Sequence, residues 1–345
     1  MNTLITSVGR RNYIVEYFRK ALSGKSRVVA TNSIANTPGM LAADKSYVSP
    51  PINSGKYLEF LIHICKTEDI RLLVSLFDQD LLFLSANKAT LEQIGVRVVV
   101  SAKDVIELCF DKLTYNEFSS SVQLKPIRTL TRLENAIEAV KNGELKFPLI
   151  LKPRWGTGSI ATEIVSSYDE LRFTYKRLSR ILNESYIAVT SSNMNNMILI
   201  QQKLTGVEYG LDVVNNLEGD FVTCFVKRKL GMRSGETDSA ITVISDELFD
   251  IGRRIGEKLK HIALLDVDII SAQDDEFYLL DMNPRFGGGY PFSHIAGANI
   301  PAAIINWANG TKADPKWLKV RPNIMGSKGL CMFHVKAVKE EINKC

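Results

Sequence analysis

The five cysteines of this 345-residue chain (Cys65, Cys109, Cys224, Cys331, Cys345) are scattered, odd in number and without a C-x-x-C spacing. That excludes a zinc ribbon and a disulfide framework, and predicts reduced thiols in a cytoplasmic protein. No apolar run approaches the ~20 residues of a bilayer span, so no membrane partner is expected. The opening Met1-Asn2-Thr3-Leu4-Ile5-Thr6-Ser7 enters a strand-like segment with no charged region or apolar core of a signal peptide. The net charge of +5 is spread without a basic block or aromatic platform, which favours small anions over nucleic acid as partners. No Ser-His-Asp or Cys-His arrangement marks a covalent nucleophile, and no internal repeat is present. What remains is an ordinary globular composition, 45% hydrophobic and 23% charged, in a chain long enough for two or three domains.

The first third alternates strand and helix patterns. Strands are predicted at Leu4 to Val8, Arg27 to Thr31, Arg71 to Leu76 and Val96 to Val100, with helices at Tyr13 to Leu22, Tyr57 to Lys66 and Leu81 to Ile94. This order predicts an α/β domain over residues 1–110 with a doubly wound parallel sheet, whose ligands sit at the carboxyl ends of strands. Two loops fall there. Gly9-Arg10-Arg11-Asn12 is neither a dinucleotide fingerprint nor a Walker A loop, which disfavours a Rossmann-type dehydrogenase. Its arginines either hold an anionic substrate or are solvated. In Phe77-Asp78-Gln79-Asp80 the carboxylates either meet a cationic or hydroxylated substrate or, for Asp80, cap the next helix.

Further along, Pro148 to Pro153 is an apolar strand carrying Lys152, followed by Arg154-Trp155-Gly156-Thr157-Gly158-Ser159 and a second strand pattern, Ile160 to Val165. The glycine hairpin either folds over a triphosphate, with Lys152 aimed at a phosphate, or is only a turn. A strand at Met197 to Ile200 leads through Gln201, Gln202, Lys203 and Leu204 into Gly206 to Val214, a linker whose backbone groups suit an adenine edge. Glu208 accepts from ribose hydroxyls or is solvated. After the strand Phe221 to Lys227, residues 228–237 read as a basic turn holding Arg233, with anion binding favoured. An apolar run from Phe277 then enters Leu280-Asp281-Met282-Asn283-Pro284-Arg285, where strand periodicity puts Asp281, Asn283 and Arg285 on one face, in steps of roughly 7 Å. A carboxylate, an amide oxygen and a guanidinium in a row suit Mg²⁺ with its phosphates. His294 either assists proton transfer or is structural. Gly329 to Val335 reads as a strand packing back on the core.

Six pieces in order resemble the ATP-grasp superfamily, in particular the carbamoyl-phosphate synthetase large chain and its short relatives. They are Asp111-Lys112, F-P-L-I-L-K-P (147–153) with R-W-G-T-G-S (154–159), I-L-I-Q-Q-K-L-T-G-V-E-Y (198–209), M-R-S-G-E-T (232–237), L-L-D-V-D-I-I (264–270) and L-L-D-M-N-P-R-F (279–286). The resemblance implies an α+β grasp domain over residues 111–310, its lid at about 125–203, and a C-terminal segment, 311–345, packed on the core. It implies ATP and Mg²⁺, with Mn²⁺ as the alternative metal. Lys112 and Lys152 then hold nucleotide phosphates, Gly156, Thr157, Gly158 and Ser159 form the mobile phosphate loop, Gln201, Gln202 and Leu204 the adenine hinge, and Glu208 the ribose acceptor. Asp268, Asp281 and Asn283 become metal ligands, Arg285 steadies an acyl phosphate and Arg233 holds an anion near the γ-phosphate. The interval from Asp268 to Asp281 fits two antiparallel strands joined by Gln273-Asp274-Asp275-Glu276. Gln201 stands where the family usually has Glu, and Asp281 where it often has Glu. The activity implied is a carboxylate–amine or carboxylate–thiol ligase on small molecules; a kinase-like grasp protein or a nucleotide-binding subunit is the alternative, and a homodimer is left open.

Overall fold

A computed structural model of the chain describes residues 1–156, 161–184, 196–333 and 335. Five strands, Asn2–Thr6 (β1), Val28–Asn32 (β2), Lys45–Val48 (β3), Ile70–Ser75 (β4) and Arg97–Val99 (β5), make the first sheet, all parallel in the order β3-β2-β1-β4-β5. Alternation along β1 sends Leu4 into one core with Tyr57 and Leu61, and Ile5 into another with Ile14 and Phe18. Both faces are therefore covered, as a doubly wound sheet requires. The helix Asn12–Leu22 buries Ile14, Val15, Phe18 and Leu22 and ends on Ser23 at φ 52°, with Arg19 and Lys20 against its negative end. β1 and β4 are neighbours while β2 and β5 lie outward, so the strand order reverses between them and their carboxyl ends flank a crevice.

Thr129–Leu130 (β6), Leu149–Pro153 (β7), Glu163–Val165 (β8) and Ile198–Gln202 (β9) form an antiparallel sheet, β6-β9-β7-β8, capped by helices Leu133–Lys141 and Tyr168–Asn183 around their own core. Gly206–Asn215 (β10), Phe221–Arg233 (β11), Glu236–Val243 (β12), Leu264–Ala272 (β13), Phe277–Asn283 (β14) and Met325–Ser327 (β15) make the third sheet, antiparallel in the order β14-β13-β10-β11-β12-β15. Helix Asp246–Leu259 lies close on one face of it. A Cβ on Gly252 would fall 2.4 Å from Cys224 Sγ, and one on Gly256 2.8 Å from Asn215 Oδ1. Asn215 in turn donates to the Gly256 carbonyl at 3.0 Å. The first and third sheets share a core, in which Phe18 meets Phe286 and Tyr290 meets Tyr17.

Four expectations are corrected. The basic segment is not a turn: β11 continues to Arg233 and only Ser234 and Gly235, both at positive φ, connect to β12. Its charges alternate, with Lys227 and Lys229 buried on one face and Leu230 and Met232 exposed on the other. The single helix expected over Leu81 to Ile94 is two, Asp78–Ala86 and Lys88–Gln93, broken at Asn87, whose side chain bonds the Phe83 carbonyl at 2.8 Å. Helix Pro38–Ala42 and β3 had no expected counterpart, because β3 is a mostly exposed edge strand without apolar periodicity. No strand occupies residues 329–333, where Leu330 and Met332 are almost fully exposed. The returning strand is β15, whose pairing with β12 ends where Lys328 N donates to the Asp238 carbonyl.

Candidate functional site

The register of the third sheet sets the site. β13 and β14 pair Asp266 with Asn283 and Asp268 with Asp281, so four polar side chains form a block on one face. On the other face Leu265, Val267 and Met282 join the apolar core under helix Asp246–Leu259. Two carboxylates directly opposed across a ladder repel, so the arrangement needs cations. One comes from β11. Lys229 Nζ reaches Asp268 Oδ2 at 2.7 Å and Glu208 Oε2 at 3.7 Å, crossing β10 where Gly210 has no side chain. A Cβ on Gly210 would lie 3.3 Å from Lys227 Cε and 3.7 Å from Lys229 Cε, so the missing side chain is the passage both lysines use. Burial works against the Lys229 charge, and Asp268 more than offsets it, raising the ammonium pKa.

β7 and the start of helix Lys112–Ser121 bring a second group of cations. Lys152, on β7, is pulled down to about 8 by burial and by Lys112, with Asp281 opposing. Lys112 Nζ lies 3.9 Å from Asp281 Oδ1 and donates to the Gly156 carbonyl. Its position is fixed from behind: Asp111 caps helix Lys112–Ser121 by accepting from the Leu113 and Thr114 amides, and both its oxygens take Arg154 at 2.6 and 2.5 Å. Asn283 Nδ2 donates to Asp281 Oδ2 at 3.2 Å and its Oδ1 accepts from Arg285 Nη2 at 3.1 Å, so the shared face expected of Asp281, Asn283 and Arg285 is a connected row. Arg285 is buried and also pairs with Asp78 at 2.7 Å across the domain junction.

Lys112, Lys152, Asp268, Asp281, Asn283 and Arg285 thus converge. Arg233 does not join them: it stands more than half exposed at the end of the β11–β12 hairpin, on Asp238 at 2.9 Å. Gln201 is buried within β9, its side-chain amide on Thr129 Oγ1 at 2.6 Å and its backbone in register with Thr129 and Ile150. Gln202 is exposed, Leu204 packs beside Ile127, Ile270 and Tyr278, and Glu208 is part-exposed near Lys229. Gly156 has φ 128°, while Thr157, Gly158 and Ser159 lie outside the described residues.

Neither alternative weighed for Asp80 holds. It is fully buried, accepting from Thr6, Ser7, Tyr57 and Ser75 hydroxyls, and it caps no helix. Arg11 is not solvated: it donates to the Leu76 and Phe286 carbonyls at 3.0 and 2.6 Å, stitching the first domain to the third sheet. His294 is structural, stacked on Tyr17 at 3.6 Å and depressed to about 4 by burial. A groove of about 660 Å³ lined by Glu16, Arg19, Lys20, Arg27 and Asp44 opens at the amino end of β2, away from the carboxyl-end crevice.

Sequence reasoning missed Asp266, Lys229 and the ion pair of Lys227 with Asp212, 2.6 Å apart and both fully buried. Burial, then Asp268 and Asp212, push Asp266 up to about 7. Its carboxylate fills the space where a Cβ on Gly287 would sit, 2.0 Å from Asp266 Cγ. The signal was present: period two in L-D-V-D places Asp266 with Asp268, as it placed Asp281 with Asn283.

The donor set suits a hard cation. Among the described residues no three His, Cys, Asp or Glu side chains are arranged to enclose a metal alone. Two facing carboxylates and an amide oxygen leave coordination positions for phosphate oxygens and water, as Mg²⁺ prefers.

Known proteins are similar to this chain in sequence and in fold. The family model described as PylC-like, N-terminal domain, matches residues 3–99, and that for ATP-grasp in the biosynthetic pathway with Ter operon matches residues 194–325. The carbamoyl phosphate synthase large chain of Vibrio cholerae is 29% identical over 221 residues, 61% of this chain but only 19% of its own length, so this chain spans about a fifth of that relative. The fold matches the biotin carboxylase domain of Hydrogenobacter thermophilus 2-oxoglutarate carboxylase, solved with MgADP and bicarbonate, at TM-score 0.71 and 18% identity over 94% of this chain and 73% of that one. It also matches the L-amino acid ligase of Bacillus licheniformis, at TM-score 0.69 and 14% identity over 93% and 78%. Residues 194–325 thus match an ATP-grasp family model and residues 3–99 a PylC-like N-terminal one, and the fold of the chain is similar to that of the two solved enzymes.

Proposed function

We propose that the protein is an ATP- and Mg²⁺-dependent ligase that activates a carboxylate as an acyl phosphate for attack by an amine or thiol. The observation that carries this reading is the placement of Asp268 opposite Asp281, with Lys112 near them at the start of its helix and Lys152 on β7. Binding alone needs no such set of opposed carboxylates and lysines. Asp268, Asp281 and Asn283 would hold Mg²⁺, or Mn²⁺ in its place, which supplies charge to neutralise the phosphates during transfer. Lys112 and Lys152 bind and orient the triphosphate. The hinge formed by Gln201, Gln202 and Leu204 takes the adenine through its backbone, and Glu208 takes the ribose. Gly156 and the following Thr157, Gly158 and Ser159 close over the phosphates and keep water from the activated carboxylate. Arg285, aligned by Asp78 and Asn283, steadies the phosphate being transferred. Arg233 acts only if the hairpin end moves inward. Its partners in this reading are a small-molecule carboxylate and amine, with neither nucleic acid nor membrane required and a homodimer compatible with it.

The test is ADP release with pooled carboxylates and amines. Release that requires both substrates supports the ligase; release with the carboxylate alone supports a phosphotransferase, and ATP binding without turnover supports a sensor. Asp281→Ala is expected to abolish metal-dependent turnover, at least a hundredfold, while the melting temperature stays within a few degrees; surviving activity would overturn the metal assignment.

A further inference from the structure

Away from the metal strands, three separate parts of the chain send charge to one place. Arg10, Arg11 and Tyr13 follow the carboxyl end of β1, Glu236 opens β12, and Lys328 follows β15. Glu236 Oε1 lies 3.8 Å from Arg11 Nη2, and its Oε2 lies 3.4 Å from Lys328 Nζ. Arg10 acts on the same carboxylate, and the three cations together hold Glu236 below the usual range although burial opposes them. Lys328 Nζ stands 5.7 Å from the Tyr13 ring centroid. Three cations against one carboxylate leave an excess of positive charge. Arg11 itself is held below its ordinary value by burial and then by the neighbouring Arg285, with Tyr13, Glu236 and Asp78 opposing.

Two donors at this place are unused. Tyr13 Oη is buried with no hydrogen-bond partner, and the phenol, pushed up to about 12, stays a neutral donor. Arg285 Nε is buried and unpartnered as well. Arg11 spans the two, since its Nη1 bonds the Phe286 carbonyl next to Arg285. Buried donors without acceptors are costly unless something supplies the acceptor, and an excess of cations makes that something an anion.

We propose that Arg10, Arg11, Tyr13 and Lys328 form a subsite for an anionic group, a carboxylate or a phosphate, carried by a substrate in addition to the groups that react. This rests on the ligase reading, in which Arg285 marks the reacting end of the pocket. Guanidinium groups and a phenol O–H match the oxygens of either anion, and the loop after β1 sits at the carboxyl end of the parallel sheet, where such folds take their ligands. Glu236 sets the strength of the subsite by neutralising part of its charge, and it keeps the arginine and lysine side chains in place when no anion is bound.

The experiment titrates inorganic phosphate and, separately, succinate into the full chain held in saturating MgADP, followed by calorimetry. One or both probes are expected to bind. Arg10→Gln and Lys328→Gln should each weaken that binding about tenfold, and Glu236→Gln should strengthen it, a gain that loss of a merely structural residue would not give. Tighter phosphate than succinate assigns a phosphorylated substrate; the reverse assigns a carboxylate. The proposal is overturned if neither probe binds, if Arg10→Gln and Lys328→Gln leave binding unchanged, or if Glu236→Gln weakens it. MgADP binding is read first in the same cell for each variant. Its absence in the wild type would sink the ligase reading, and the probes titrated alone would still decide the subsite.

Discussion

Lys152 ties nucleotide affinity to pH in a way that can be worked out in advance. In the nucleotide-free chain burial and Lys112 hold its ammonium at about 8, against the usual value near 10.5. A bound triphosphate adds negative charge beside it and returns the pKa to its ordinary range or above. The complex therefore holds the proton more tightly than the free protein. It follows that the contribution of Lys152 to binding is fully present below pH 8 and is lost as pH rises from there toward the value in the complex. At pH 7.5 about three-quarters of the free protein carries the proton; at pH 9.5 about one part in thirty does. Affinity for a magnesium-bound, non-hydrolysable ATP analogue should fall about 25-fold across that interval, or about 2 kcal/mol. ATP phosphates are already ionised throughout it, so the ligand contributes little to the slope. Calorimetry at the two pH values on wild type and Lys152→Arg is the assay. Arginine stays charged, so the variant should lose less than threefold whatever its absolute affinity. Parallel losses in the two proteins would refute the reasoning, because they would place the titrating group elsewhere.

Stability should fall in acid through His261, which is fully buried with Nε2 against the Val213 carbonyl and is depressed from 6.5 to about 4 by burial. Its contribution is complete above the unfolded value and is lost as pH falls from 6.5 to 4, so wild type should lose about 3 kcal/mol more than His261→Gln between pH 7.5 and 4 in urea unfolding; equal losses would refute it. Gly287→Ala should cost at least tenfold in turnover, because a methyl group 2.0 Å from Asp266 Cγ must displace that carboxylate from beside Asn283. Circular dichroism should stay native; wild-type turnover would show that Asp266 is a bystander. Asp78→Asn should destabilise the chain by about 3 kcal/mol, since it leaves Arg285 buried without its charge partner while the Asn283 and Phe286 acceptors remain. A midpoint shift below about 1 kcal/mol would mean that solvent reaches the pair.

Where the sequence was legible, a short-range period carried the information. Short apolar runs located β1, β2, β4 and β5, and the period of two put Asp281, Asn283 and Arg285 on one face, where hydrogen bonds join them in a row. The hairpin joining Asp268 and Asp281 was legible from its four-residue polar turn, but that turn alone would set Asp268 opposite Leu280, and an irregularity between Asp268 and Ile269 brings Asp281 opposite it instead. Legibility ended where a side chain owes its role to a partner far along the chain. Asp78 and Arg285 meet over 207 residues, and Arg11 and Phe286 over 275. No local pattern encodes those contacts, so the ties of Arg11 to the Leu76 and Phe286 carbonyls were not foreseen. Charge density misled in the opposite direction. The cations of residues 227–233 suggested a turn because polar clusters usually mark loops, yet alternate members are buried against Asp212 and Asp268. A strand can bury lysine only when carboxylates within its reach receive it, and here Asp212 lies on the adjacent β10 and Asp268 on β13 beyond it. The acid block and the basic strand are thus one feature. Neither Asp268 nor Lys229 is tolerable in its place alone, and a nucleotide with its metal would enter a site whose charges are already balanced across the sheet.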